Sequence, residues 1–152
     1  MWSPDLGFAD VDDRVVAVAR AAAGRLFAAG VVRVRHDLAL SDPAQVWSAL
    51  RAGRTPAGEV RARNGRRLAR AFEVTDVLLT PTAPGSAHGH DGPGTTMNVA
   101  LTWAFNVSGH PAASVPAGVD HDGVPVGLQV VGRHGDEATV LRVASMVASM
   151  CV

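Results

Sequence analysis

A predicted β-hairpin in the last third of the chain constrains the fold more than any other sequence feature. Two apolar runs, residues 113–119 and 124–131, are separated by Asp120-His121-Asp122-Gly123. A short polar connection with a glycine at the position that needs a positive φ is typical of two antiparallel strands joined by a tight turn. The chain therefore has to contain a sheet in which these two runs are neighbours.

Helical and strand patterns alternate along the rest of the chain, which indicates the α/β class. Apolar residues three and four positions apart predict helices that follow the N-caps Asp12, Thr95 and Asp136, and the last of them is expected to bury Leu141. Short runs of Leu and β-branched residues predict strands. The predicted helices cover residues 13–29, 44–52, 59–72, 96–108 and 137–152, and the other predicted strands cover 31–34 and 77–80.

The charge balance of the chain excludes several classes of function. Its 152 residues carry 14 Arg and no Lys against 14 acidic residues, so the net charge is zero. Without a basic excess, nucleic acid is not an expected partner. The lack of Lys excludes a lysine base, a Schiff base or a P-loop lysine within this polypeptide.

The cysteine and hydropathy patterns indicate a cytoplasmic protein. The single cysteine, Cys151, cannot form an internal disulfide or a Cys-based zinc site, which fits a reducing compartment. The first ten residues lack the basic and apolar regions of a signal peptide. The longest apolar-rich run, residues 15–32, is interrupted by Arg and Gly, so no membrane association is expected.

A loop rich in Gly, Pro and His, residues 82–94, offers one candidate metal site. His88 and His90 are two positions apart, so an extended backbone would point both rings the same way, with Asp91 beside them. The alternative is a polar loop with solvent-exposed histidines. Spacing does not single out a third ligand among His110, His121 and His134.

Other polar and aromatic residues also allow two interpretations. Trp103, on the helix after this loop, belongs either to the core or to a pocket wall. Asn106 and Gln129 interrupt apolar stretches and are expected to be buried and bonded to the backbone. The five Arg within residues 59–72 form either a solvated helix face or an anion site. None of the eight Ser lies in a G-x-S-x-G motif, and no two are adjacent.

Four segments of the chain resemble one known family. DVLLTPTAP (76–84), FNVSGHPAASVPAG (105–118) and GVPVGLQVVGRHGDEATVLRVA (123–144) are similar to the C-terminal part of the amidase signature family, and WSPDLGFADVDDRV (2–15) resembles the same family. The resemblance implies a partial mixed sheet flanked by helices. It also implies one truncated amidase-like domain over residues 1–152, with a lead-in at 1–35, a helical segment at 36–75 and the C-terminal amidase-like region at 76–152.

The resemblance implies hydrolysis of carboxylic amides, without a cofactor, but not by this chain alone. Family members use a Ser nucleophile, a second Ser in a cis peptide link and a Lys base. This sequence has no Lys and no Ser-Ser pair, so no catalytic residue is assigned to any position. By resemblance, the loop at 82–97 helps to wall the pocket, and Thr82, Trp103 and Asn106 are the candidates for contact with a small amide or carboxylic acid.

Four further interpretations remain open beside an inactive amidase portion, and one of them is a non-functional remnant. The chain could be a binding or interaction module, or one half of a split amidase that pairs with a catalytic-half chain. It could be a metal-dependent hydrolase built on His88, His90 and Asp91. A sheet that lacks neighbouring strands also predicts self-association through its open edge.

Overall fold

The computed structural model describes residues 1–30, 38–55, 58–92 and 99–150, and this part of the chain alternates helices and strands as predicted. The predicted strand at 31–34 and the predicted cap Thr95 lie outside the described residues. The elements in chain order are α1 (Asp13–Ala28), α2 (Ala44–Arg51), α3 (Gly58–Glu73), β1 (Val77–Pro81), α4 (Ala100–Ser108), β2 (Ala112–Val119), β3 (Pro125–Gly132) and α5 (Glu137–Met150).

The three strands form one sheet in the order β1-β3-β2, and both pairings are antiparallel. The predicted hairpin is confirmed: β2 and β3 are consecutive and paired, and Gly123 in their turn has a φ of +78°. The buried carboxylate of Asp120 closes the turn by accepting from the backbone N–H groups of Asp122 and Val124, each at 2.9 Å. Trp2 adds an isolated parallel bridge to Leu79 on the other side of β1.

Each face of the sheet is covered by its own hydrophobic layer, because successive side chains on a strand point to opposite faces. On one face, Leu79 and Val130 pack with residues of α1 and α5. On the other face, Leu78 and Val131 pack with residues of α3 and α4. The central strand β3 contributes to both layers and has no exposed residue between Val126 and Gly132.

The helix boundaries follow local signals in the sequence. The Asp12 carboxylate accepts a hydrogen bond from the Arg14 N–H at the start of α1. Gly109, with a φ of +76°, ends α4 in the left-handed conformation that suits glycine. The Asp136 carboxylate accepts from the Thr139 N–H at the start of α5. These ends of α1, α4 and α5 are as predicted.

Two predicted core residues are exposed. Leu141 is 61% exposed, because α5 buries the face that carries Val140, Ala144 and Val147, and Leu141 lies beside that face. Asn106 is exposed as well, although its neighbours Phe105 and Val107 on α4 are buried. The predictions that these two side chains are buried are therefore wrong.

Candidate functional site

A pair of hydroxyls lies on the sheet where β1 ends. The Thr82 N–H donates to the Gly127 carbonyl at 3.0 Å, and the Thr82 Oγ1 lies 2.7 Å from the Ser114 Oγ. Gly127 makes room for them, since a Cβ at this position would lie 2.8 Å from the Thr82 Oγ1 and 3.0 Å from the Ser114 Oγ. We call Thr82, Ser114 and Gly127 the hydroxyl site. The two hydroxyls of this site can each donate and accept a hydrogen bond, which suits a small polar ligand.

A row of polar side chains crosses the sheet next to the hydroxyl site. Gln129 is opposite Thr80 on β1 and opposite Ser114 on β2, so the three share one face. The Gln129 Nε2 donates to the Leu101 carbonyl on α4 at 3.5 Å, which confirms the predicted backbone contact of this buried amide.

Thr80 was missed by the sequence predictions. Its side chain is fully buried, and within the described residues its Oγ1 has no hydrogen-bond partner. A buried hydroxyl normally has a partner, so Thr80 retains hydrogen-bonding capacity beside the hydroxyl site. A polar residue in the otherwise apolar run 77–80 was the available signal.

The other two predicted contact residues lie on α4. Trp103 is 5% exposed and packs in the layer with Leu101 and Phe105, so it belongs to the core. Its indole Nε1 makes no hydrogen bond within the described part of the chain. Asn106 points away from this layer. No hydrogen bond among the described residues joins Thr82 to Trp103 or Asn106, so only Thr82 belongs to the hydroxyl site.

The loop after β1 is fastened to the hairpin and to α1. Ser86 donates to the Asp120 carboxylate at 2.6 Å, and the Asp12 N–H donates to the Pro84 carbonyl at 2.8 Å. The hydrogen bond from Ser86 holds the pKa of Asp120 below its usual value, and the backbone N–H donors of the turn act in the same direction. Ser86 therefore serves as a tether of the loop.

The predicted metal ligands do not form a cluster. His88, His90 and Asp91 are exposed, and the His88 Nδ1 lies 2.9 Å from the Gly89 carbonyl. Among the described residues, no group of three or more His, Cys, Asp or Glu side chains is close enough to hold a metal ion. The described part of the chain thus brings no third ligand to this pair of histidines.

A second serine contacts a histidine after α4. The Ser108 Oγ lies 2.8 Å from the His110 Nδ1, and the His110 ring stacks between the rings of Phe72 and His134 at centroid distances of 5.2 and 3.8 Å. Burial, and secondarily His134, lower the pKa of His110 to about 4. A general base works best with a pKa near the operating pH, so His110 is too weak a base at neutral pH to activate Ser108.

The Arg-rich face of α3 is largely exposed. Arg63 pairs with Glu59 one turn earlier at 2.6 Å, and Arg67 donates to the Ala39 carbonyl. These contacts are those of a solvated helix face. No helix in the described ranges is long and apolar enough to span a membrane.

The chain matches one protein family over most of its length. The family model described as Amidase matches residues 41–141. The A subunit of the glutamyl-tRNA(Gln) amidotransferase from Granulibacter bethesdensis is 43% identical over 94 residues, which are 59% of this chain and 19% of that protein. The protein of the same name from Rhodospirillum rubrum is 46% identical over 90 residues, which are 56% of this chain and 18% of the relative.

Solved structures share the fold. The A subunit of the glutamyl-tRNA(Gln) amidotransferase from Thermotoga maritima superposes with a TM-score of 0.73 at 20% identity, over 94% of this chain and 40% of that chain. A bacterial aryl acylamidase of the amidase signature family superposes with a TM-score of 0.67 at 20% identity, over 97% of this chain and 42% of that chain. The chain thus spans about a fifth of the curated relatives it matches and about two fifths of these structural neighbours.

Proposed function

Because this chain belongs to the amidase family, we propose that it forms part of the substrate-binding wall of an amide-hydrolysing enzyme and carries none of the groups that attack the amide carbonyl. The observation that carries this proposal is the hydroxyl site, in a sequence that contains no Lys and no Ser-Ser pair. Its ligand would be a small amide or the carboxylic acid formed from it.

The hydroxyl site suits an amide ligand chemically. A hydroxyl both donates and accepts, so Thr82 and Ser114 can meet a carbonyl oxygen and an amide N–H with the same pair of groups. The Thr80 Oγ1, which has no hydrogen-bond partner among the described residues, lies on the same face of the sheet but is fully buried. Gly127 lets the two hydroxyls lie close to the backbone and to each other.

The contacts of the serines support the absence of catalysis. A Ser hydroxyl needs a base to become a nucleophile at neutral pH. Ser86 donates to Asp120, whose carboxylate also accepts two backbone hydrogen bonds and has a lowered pKa. Ser108 meets His110, whose pKa of about 4 leaves it a weak base. Ser114 meets another hydroxyl, that of Thr82.

An activity assay tests the absence of catalysis. The purified chain should hydrolyse a simple aryl amide no faster than buffer does. A Ser108→Ala variant and a Ser149→Ala variant on the exposed face of α5 serve as a matched pair. Turnover that Ser108→Ala abolishes and Ser149→Ala preserves would contradict the proposal.

A binding assay tests the pocket wall. Small amides and the corresponding carboxylates should raise the melting temperature of the chain, because a ligand that binds only the folded state stabilises it. Thr82→Val and Ser114→Ala should remove that shift, and Ser145→Ala on α5 should keep it. An equal shift in all three variants would show that the ligand binds elsewhere.

One half of a split amidase is the second candidate function. Two observations favour it. This chain matches only 40% of the Thermotoga maritima chain, and the relatives are named as one subunit of a larger enzyme. The outer strand β2, which within the described residues pairs only with β3, could receive a neighbouring strand.

Co-expression with a chain that carries the Lys and Ser-Ser part of the fold should yield amidase activity that neither chain has alone. If the two chains form no complex, this candidate is wrong.

A further inference from the structure

A cleft of ≈ 550 Å³ lies between α3, the end of α4 and the loop after β3, apart from the hydroxyl site. Its apolar lining consists of the buried Phe72 and two small residues of α3, the half-buried Gly65 and the exposed Ala69. Its rim is polar and carries more positive than negative groups. The rim residues are Arg61, Glu73, Ser108, His110, Arg133 and His134.

The two imidazoles of this cleft are held in fixed positions by their Nδ1 atoms. The His110 Nδ1 lies 2.8 Å from the Ser108 Oγ, and the His134 Nδ1 lies 3.1 Å from the Gly109 carbonyl, to which it donates. Within the described residues, the Nε2 of each ring makes no hydrogen bond. With ring centroids 3.8 Å apart and an interplanar angle of 34°, the two Nε2 atoms are near enough to bond two oxygens of a single ligand.

The charged groups around the rings favour an anion. Arg133 follows β3 directly, and its Nη2 donates to the Thr75 carbonyl at 3.2 Å and to Asp76 at 3.1 Å, which leaves other guanidinium N–H groups unused. Arg61 has no carboxylate partner in the described part of the chain. Among the described residues that line the cleft, Glu73 is the single acidic one, and it opposes an anion.

We propose that this cleft binds a small oxyanion, a carboxylate or a phosphate, between the Nε2 atoms of His110 and His134 and the guanidinium of Arg133, with the apolar part of the ligand against Phe72. Two imidazoles this close repel each other once both are protonated, and an anion between them removes that repulsion. Binding should therefore take up protons and strengthen as the pH falls from 7.5 to 5.5. A carboxylate ligand stays ionised over this range, so its pH dependence reports on the imidazoles, whereas phosphate takes up a proton of its own.

Titration of the native chain with inorganic phosphate and with benzoate tests the proposal. Calorimetry at pH 5.5 and 7.5 gives the two affinities, and NMR of the His Cε1–H signals follows the imidazoles. We expect saturable binding of at least one anion, tighter at pH 5.5 for benzoate, with chemical-shift changes at the His110 and His134 signals and none at the His121 signal. The anion that binds identifies the ligand class, and binding of neither anion overturns the proposal.

Variants at exposed positions distinguish anion binding in this cleft from a general effect of the protein's net charge. Arg133→Gln and His134→Gln should each weaken binding about tenfold, the usual scale for loss of one charge-assisted hydrogen bond. Glu73→Gln should strengthen it, because it removes the opposing charge. Arg66→Gln changes the net charge by the same amount as Arg133→Gln but lies outside the cleft, so it should bind like the native chain. Equal weakening by Arg66→Gln and Arg133→Gln would overturn the proposal.

Discussion

Gly127 shapes the hydroxyl site through the side chain that it lacks. Any Cβ at this position would meet the hydroxyl oxygens of Thr82 and Ser114 at 3.0 Å or less. Gly127→Ala should therefore separate this pair and destabilise the fold by about 1–3 kcal/mol, the cost of overpacking. Urea unfolding measures the loss of stability.

Gly24→Ala is the matched control for that substitution. Gly24 lies inside α1, and apart from its chain neighbours and the backbone of that helix, a Cβ there would meet no atom of the described residues within 4 Å. The change to Ala should stabilise the protein by roughly 0.5–1 kcal/mol, because Ala favours a helix interior more than Gly does. If both substitutions changed stability alike, the close contact at Gly127 would not be the cause.

His110 should make the stability of the fold depend on pH. Its pKa falls to about 4 in the folded state from 6.5, so below pH 6.5 the unfolded chain binds a proton that the folded chain does not. The stability is therefore full above pH 6.5 and declines as the pH falls from there toward 4. Since His110 is only half buried, the effect between pH 7.5 and 5 should be on the order of 1 kcal/mol.

Urea unfolding at pH 7.5, 6 and 5 measures this dependence, with His110→Gln and His121→Gln as the compared variants. His121 is an exposed hairpin residue, so its replacement should leave the slope with pH unchanged. His110→Gln should flatten the slope. A native slope that persists in His110→Gln would contradict the role of this ring.

Helix α4 combines a core role with one unused polar group. Trp103 fills the layer on its side of the sheet, yet its Nε1 makes no hydrogen bond to another described residue. Trp103→Ala should therefore cost about 3–5 kcal/mol, and Trp103→Phe, which keeps most of the ring, much less. Thermal unfolding measures both effects. A loss in Trp103→Phe as large as in Trp103→Ala would mean that the indole N–H has a partner essential to the fold.

The elements that local signals define were predicted well. The turn residues 120–123, the buried run at 77–80 and the cap Asp136 each determine structure through their own backbone preferences, and the structure has the hairpin, β1 and the start of α5 where expected. Leu141 and Asn106 were predicted to be buried but are exposed, because an apolar pattern over so few helical turns does not define where the buried face ends. Periodicity alone could not correct either residue.

The candidate sites were harder to predict because they depend on contacts between distant parts of the chain. Thr82 was proposed by resemblance, but its partner Ser114 was not, since their contact depends on the register of β1, β3 and β2. The stack of Phe72, His110 and His134 joins three separate elements, and nothing in the spacing of these residues indicated it.

The outer strand β2 has an open edge through which two copies of the chain are expected to associate. Within the described residues β2 pairs on one side only, and Val119 near its end is 59% exposed. Light scattering should show a second copy of the chain binding as the protein concentration rises. Val119→Lys should reduce the association, because a lysine on an edge strand opposes pairing with another strand.

Leu141→Lys gives the control for this measurement. Leu141 is as exposed as Val119, at 61%, but lies on the helix α5 and not on a strand. Its replacement removes a similar apolar surface and adds the same charge. Association that falls equally in both variants would reflect general hydrophobic contact, and a native chain that stays monomeric at all concentrations would contradict the prediction.

The position of β3 between two separate hydrophobic layers determines the order in which the elements unfold. Either layer can loosen while the other still holds one face of this strand, so the backbone of β3 opens only when both have failed. In deuterated water, its amide hydrogens should consequently be the last to be replaced. The central strand therefore stays paired when the hydrophobic layer on only one face of the sheet is disrupted.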